Sequence, residues 1–89
     1  MNMNNKVLIK LVIPEIDESF DIFIPINEIL WKVKKMLVKS AGDLNLKSLD
    51  TNKNYILINK NTLEIYPNNI QIAKTDIENG TEIILLSVK

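Results

Sequence analysis

Residues Pro25 to Gly42, PINEILWKVKKMLVKSAG, decide how the rest of the chain must be arranged. On a helix of 3.6 residues per turn, Ile26, Ile29, Leu30, Val33, Leu37 and Ala41 share one stripe, and Glu28, Lys32, Lys35 and Lys39 lie opposite. Pro25, with its fixed φ, and Glu28, near the positive end of the dipole, mark the expected start. Lysines crowd the later turns, where the dipole favours cations, and Gly42 supplies an expected left-handed stop. No other segment carries a convincing helical period. One amphipathic helix must bury its stripe, and the flanking sequence offers only strands to bury it against.

Upstream, Lys6 to Ile13 (KVLIKLVI) reads as a strand by its β-branched content, ended by Pro14. Pro14 to Ser19 (PEIDES) is an acidic turn, and Phe20 to Ile24 (FDIFI) is a second strand with Phe20, Ile22 and Ile24 on one face. Downstream, the 43–54 connection DLNLKSLDTNKN has turn composition plus three leucines, so part of it is expected to fold onto the core. Tyr55 to Ile58 (YILI) is a third strand, Asn59-Lys60-Asn61 a tight turn, and Thr62 to Ile65 (TLEI) a short fourth. Tyr66-Pro67-Asn68-Asn69 breaks the sheet, and Ile70 to Ile77 is irregular with room for one helical turn. Asn79-Gly80 then turns the chain into Thr81 to Val88 (TEIILLSV), the last strand.

The order is β-β-α-β-β-β, an α+β domain with a mixed sheet and one helix packed on one face. Unknotted arrangements of that order are few, and the β-grasp is the commonest. It sets the first and last strands side by side at the centre, which suits the two most continuously apolar runs in the chain. Residues 1–5 are polar and expected to fray, leaving 6–89 as a single domain.

Composition narrows the function classes. Eighty-nine residues suffice for one core and not for two. Eleven lysines balance eleven acidic residues and arginine is absent, so neither a basic excess nor a guanidinium fork is available for nucleic acid. Without cysteine there is no disulfide framework, iron–sulfur cluster or thiol chemistry, and without histidine a zinc site would need carboxylates alone. No serine or threonine has a histidine or cysteine to activate it. Neither enzymatic activity nor a cofactor is expected. No apolar run approaches ~18 residues, so the chain is not expected to insert into a membrane. The start MNMNNK lacks the apolar core of a signal peptide, which makes the cytoplasm the expected location.

Three runs together resemble a known family: Pro25-Ile26-x-x-Ile29-Leu30-x-x-Val33-x-x-x-Leu37, then Tyr55-Ile56-Leu57-Ile58 with Leu63, then Ile72-x-x-x-x-Ile77-x-x-Gly80-x-x-Ile83. They are similar to the ubiquitin-like fold and, within it, to the EsaB/YukD family of bacterial type VII secretion systems. The resemblance spans Lys6 to Val88 and lies in core and turn positions. It implies a non-enzymatic accessory or regulatory component that contacts proteins, such as a cytoplasmic domain of a membrane secretion component. The chain departs from the family by its longer, Leu- and Asn-rich 43–54 connection. Other readings stay open: a scaffolding or self-associating β-grasp module of an unrelated complex, including a homodimer, or a ubiquitin-like modifier or sulfur carrier. The last needs a diglycine tail, and the sequence ends Leu86-Ser87-Val88-Lys89 with glycines only at 42 and 80.

Four features compete as sites. The acids Glu15, Asp17, Glu18 and Asp21 lack the alternating ligands and glycine of a calcium loop and read as a solvated hairpin. Lys32, Lys34, Lys35 and Lys39 could meet anionic lipid, although a helix's polar face is ordinarily just solvated. Trp31 and Val38 sit about 120° to 140° from the stripe centre by the 100° step. There Trp31 either packs along the helix flank or the 43–54 connection, or stays exposed as an anchor for a partner. Finally, if Val7, Ile9 and Leu11 face the helix, Leu8 and Val12 face away. By the ubiquitin-like resemblance, Ile83 and Leu85 point in, Ile84 and Leu86 point out beside Leu57, and Leu57 and Leu86 match ubiquitin's recognition patch. An apolar patch there, unless shielded by Phe23 and the stem of Lys10, marks a protein-binding surface. Alternation alone does not fix the parity, because both faces of the last strand are apolar.

Overall fold

The first and last strands pair in parallel, Lys10 to Val12 of β1 (Lys6–Ile13) against Glu82 to Ile84 of β4 (Glu82–Val88). This seam, seen in a computed structural model that describes residues 5–44 and 49–88, is the middle of a mixed sheet. Antiparallel strands flank it, β2 (Glu18–Pro25) on β1 and β3 (Asn54–Asn59) on β4, giving the order β2-β1-β4-β3 among the described residues. The inward residues Ile9, Leu11, Ile13, Ile24, Tyr55, Leu57, Ile83 and Leu85 join Leu30, Val33, Leu37 and Ala41 of α1 (Leu30–Leu44) in one buried cluster. Leu49, from the 43–54 connection, is part of it, whereas Leu46 lies outside the described residues. Residues 1–4, expected to fray, also lie outside them, and Asn5 is held by its carbonyl, which accepts from Ile26 N–H at 2.9 Å.

The helix begins later than the sequence suggests. Pro25 closes β2 opposite Lys6, and the Ile26–Asn5 hydrogen bond puts 25–6 in the non-hydrogen-bonded class of pairs. The missing proline N–H therefore faces the open edge, where a strand tolerates it. Over the next residues the carbonyls are engaged elsewhere: Ala73 N–H donates to Ile26 at 2.8 Å and Ile72 N–H to Glu28 at 3.1 Å. Helix α1 then opens with its first free N–H groups already satisfied, Leu30 donating to Ile70 O at 2.8 Å and Trp31 to Asn68 O at 3.2 Å. Gly42 is interior to α1 and does not stop it. Val38, placed by the 100° step beyond the core face, is buried in the core cluster.

The expected fourth strand, Thr62 to Ile65, is reduced to a single bridge between Ile58 and Ile65. Asn59 is the reason. Its side-chain oxygen accepts from Asn61 N–H (2.8 Å) and Thr62 N–H (3.1 Å), and its own carbonyl accepts from Leu63 N–H at 2.7 Å. The chain curls so tightly that Leu63 adopts φ 64°, which no extended run permits. Asn59 also donates to Tyr66 Oη at 2.9 Å, and Tyr66 donates to Asp76 Oδ1 at 2.7 Å, so a buried polar side chain is satisfied on both its groups. The β1–β2 connection is equally local: a 3₁₀ turn (Pro14–Ile16) ends at Asp17 with φ 53°, a conformation aspartate tolerates. This lets β2 begin at Glu18, two residues before the expected start.

Candidate interaction surface

Side chains alternate across each strand, so the helix covers one face of the sheet and the residues between the buried ones form the other. The strand registers arrange that outer face in rows. Leu8 stands beside Phe23, and they are 36% and 48% exposed. The next row runs Asp21 on β2, Lys10 on β1, Glu82 on β4 and Lys60, the turn residue directly after β3. Lys60 N–H donates to the Glu82 carbonyl at 3.0 Å and its ammonium lies 3.4 Å from the Glu82 carboxylate. Beyond it come Ser19, Val12, Ile84 and Ile58, then Leu86 beside Ile56. Val12, Ile56, Ile58, Ile84 and Leu86 are half-buried, as neighbours shading one another in a sheet would be. The outer face is thus an apolar surface divided by one charged row.

Of the residues expected to bind protein, Leu8, Val12, Ile84 and Leu86 share this face. Leu57 does not. It pairs with the inward Leu85 and is 1% exposed, so the expected Leu57–Leu86 patch is corrected: Ile56 stands beside Leu86. Ile56 and Ile58 are the outer-face residues that sequence reasoning missed. A signal was present, because Lys60 shares the parity of Ile56 and Ile58 and a lysine points to water. Phe23, expected to shield the patch, is instead its most exposed side chain.

Trp31 lies elsewhere, on the helix, 39% exposed. The ammonium groups of Lys32 and Lys35 stand 5.7 and 5.8 Å from its ring centroid, within reach of a cation–π contact. A groove of about 510 Å³ opens along the same helix, lined by Lys34, Lys35, Met36, Val38, Lys39 and Thr51. Lys34 Nζ donates to Asn68 Oδ1 at 2.6 Å, and burial lowers its pKa below the ordinary lysine value. In the acidic turn, Glu15 Oε1 accepts from Ser87 N–H at 2.6 Å, which ties the turn to β4. Among the described residues no group of three acids is placed to hold a metal ion. The most perturbed phenol, Tyr66, is pushed up to about 12 by burial and by its hydrogen bond to Asp76, with the Asn59 donor opposing.

No protein-family model matches the sequence, and no curated protein matches it. Solved structures do. The EccD5 ubiquitin-like domain from Mycobacterium xenopi superposes with a TM-score of 0.78 at 10% identity, over 94% of this chain and 96% of that one. The fold is ubiquitin-like. A chain of the MycP5-free ESX-5 inner membrane complex gives a TM-score of 0.80 at 10% identity over 94% of this chain, which spans only 21% of that one. A chain in the toluene 4-monooxygenase HD complex gives 0.74 at 8% identity, over 93% and 99%. The ubiquitin-like fold is therefore shared by chains in quite different assemblies, and function must be argued from the surface. Among the described residues no helix is long and apolar enough to cross a membrane.

Proposed function

We propose that this chain is a non-enzymatic, cytoplasmic protein-interaction module that works through the outer face of its sheet, as an EsaB/YukD-like accessory component of a type VII secretion system. The observation that carries the first part is the apolar outer face, with Leu8 and Phe23 exposed on one side of the charged row and Val12, Ile84 and Leu86 on the other. The second part is supported by the helix and turn motifs quoted above and by the likeness to the EccD5 ubiquitin-like domain. A sequence without histidine or cysteine supports binding over catalysis.

Co-purification of tagged chain from its native cell tests both parts. Wild-type protein is expected to bring down subunits of a secretion complex. Val12→Asp and Leu86→Asp, which place a charge on the outer face, are expected to lose them while keeping a wild-type circular dichroism spectrum. Retention of the same partners by both folded variants refutes the surface; partners from an unrelated assembly refute the secretion role.

A further inference from the structure

The charged row pairs within its own sheet and, by the same alternation, can pair a second time outside it. Attraction between neighbouring strands accounts for opposite signs side by side. The row here contains four charges, three on β2, β1 and β4 and the fourth on the turn residue that follows β3, in the order minus, plus, minus, plus: Asp21, Lys10, Glu82, Lys60. An alternating row with an even number of members is the complement of its own reverse. Two copies stacked face to face about a twofold axis parallel to the strands, between β1 and β4, place Lys10 opposite Glu82 of the second copy and Asp21 opposite Lys60 of the second copy. An axis perpendicular to the strands in the same plane sets every charge against its own kind.

Resting on the reading of the outer face as the adhesive surface, we propose that, in the free chain away from any secretion complex, its occupant is a second copy of this chain, in a face-to-face dimer whose register this row sets. The geometry suits such packing, since stacked sheets keep their strand directions within about 30°. The Lys10–Glu82 contacts lie nearest the axis and are least displaced by that twist, while the long Lys60 stem spans the larger offset to Asp21. The same operation brings Leu8 of one copy over the Asn79–Gly80 turn of the other. A hollow of about 630 Å³ lies there, walled in part by Phe23, Lys10 and Gly80, and Gly80 has open space where a side chain would stand. Four strands ~4.8 Å apart and about seven residues long make a face of roughly 450 Å². The ~900 Å² buried by a pair is small for a specific interface, so the dimer is weak and concentration-dependent. The charged row supplies its register more than its affinity.

Sedimentation velocity of the full chain from about 10 μM to about 1 mM reads the equilibrium. A reversible monomer–dimer transition is expected. Asp21→Lys and Lys60→Asp, each alone, set like charges opposite one another twice per dimer and are expected to weaken it at least about tenfold. Mixing the two variants pairs every charge with its opposite and is expected to restore a heterodimer of wild-type affinity. Lys10→Glu mixed with Glu82→Lys provides a second, independent pair should either first variant fold poorly by circular dichroism. Three results overturn the proposal: a wild-type monomer over the whole range, single variants that dimerise as well as wild type, or folded variants that do not recombine. The first leaves the adhesive face standing, because that reading falls only if Val12→Asp and Leu86→Asp keep their partners.

Discussion

Leu57 and Leu86 are leucines on adjacent strands, one register step apart, and truncating each to alanine separates the two faces of the sheet energetically. Leu57 is 1% exposed in the cluster beneath α1, whereas Leu86 is half-buried on the outer face. Full burial of a leucine side chain contributes about 1.5–3 kcal/mol, and the cavity left in a packed core raises the cost of Leu→Ala to about 2–5 kcal/mol. Leu57→Ala is therefore expected to remove about 3 kcal/mol from a domain whose total stability is on the order of 4–13 kcal/mol. Leu86→Ala, with space on one side already open, is expected to cost less than about 1 kcal/mol. Urea denaturation followed by circular dichroism reads the difference, since a slope near ~1 kcal/mol per molar puts the two midpoints about 2 M apart. Measurements belong at low micromolar concentration, where self-association does not contribute. If Leu86→Ala costs as much as Leu57→Ala or more, the faces assigned to β3 and β4 do not hold and the arrangement of the outer surface is wrong.

Further outcomes follow from the Asn59–Tyr66–Asp76 cluster and from the turn into β4. Asn59→Asp keeps the oxygens that receive Asn61 and Thr62 but sets a carboxylate beside Asp76, 3.5 Å from the replaced amide, and removes the donor to Tyr66. A like charge raises the new carboxyl's folded-state pKa, so its penalty is small in acid and grows as pH rises through that value. Thermal melts at about pH 4 and pH 7 should show a deficit against wild type that reaches about 2–4 kcal/mol only at the higher pH. For Tyr66, a folded pKa raised from 10.0 to about 12 means a stability contribution present below pH 10 and lost as pH climbs towards 12. Tyr66→Phe should accordingly flatten the alkaline fall in melting temperature without abolishing it, because burial and then Glu15 and Asp50 raise Tyr55 as well. Gly80→Ala meets no neighbour but inherits φ +91°, so calorimetry should show a loss of about 1–2 kcal/mol from backbone strain alone.

The sequence made some of this legible and hid the rest for identifiable reasons. β1 and β4 stood out as central strands because a strand with neighbours on both sides needs no polar edge, and their runs are the most continuously apolar in the chain. The positions Leu30, Val33, Leu37 and Ala41 followed from helical period alone. The helix start did not, because proline is at home both in a first helical turn and at the exposed end of an edge strand. The competing use of the Ile26 and Glu28 carbonyls, by residues more than forty positions away, leaves no local trace. The short strand at Thr62 to Ile65 failed because Asn59 captures the following N–H groups and curls the chain against its β-propensity. Of the five sheet residues expected to bind protein, Leu8 and Val12 followed from setting Val7, Ile9 and Leu11 inward, and Ile84 and Leu86 from the ubiquitin-like resemblance. Leu57 was misplaced because YILI is apolar on both faces, and its parity shows only from Lys60 beyond it.

The parallel seam has a mechanical corollary. Force applied between the start of β1 and the end of β4 runs along both strands in opposite senses. The bonds that join them, Gly80 N–H to Leu8 O at 2.8 Å and Lys10 N–H to Thr81 O at 3.0 Å among others, are then sheared together instead of being peeled one by one. Each outer antiparallel pair, by contrast, could unzip from its open end. A motor dragging this chain lengthwise would meet its stiffest resistance at the outset, and the rate of that single rupture, not the equilibrium free energy, would set how long the domain survives the pull.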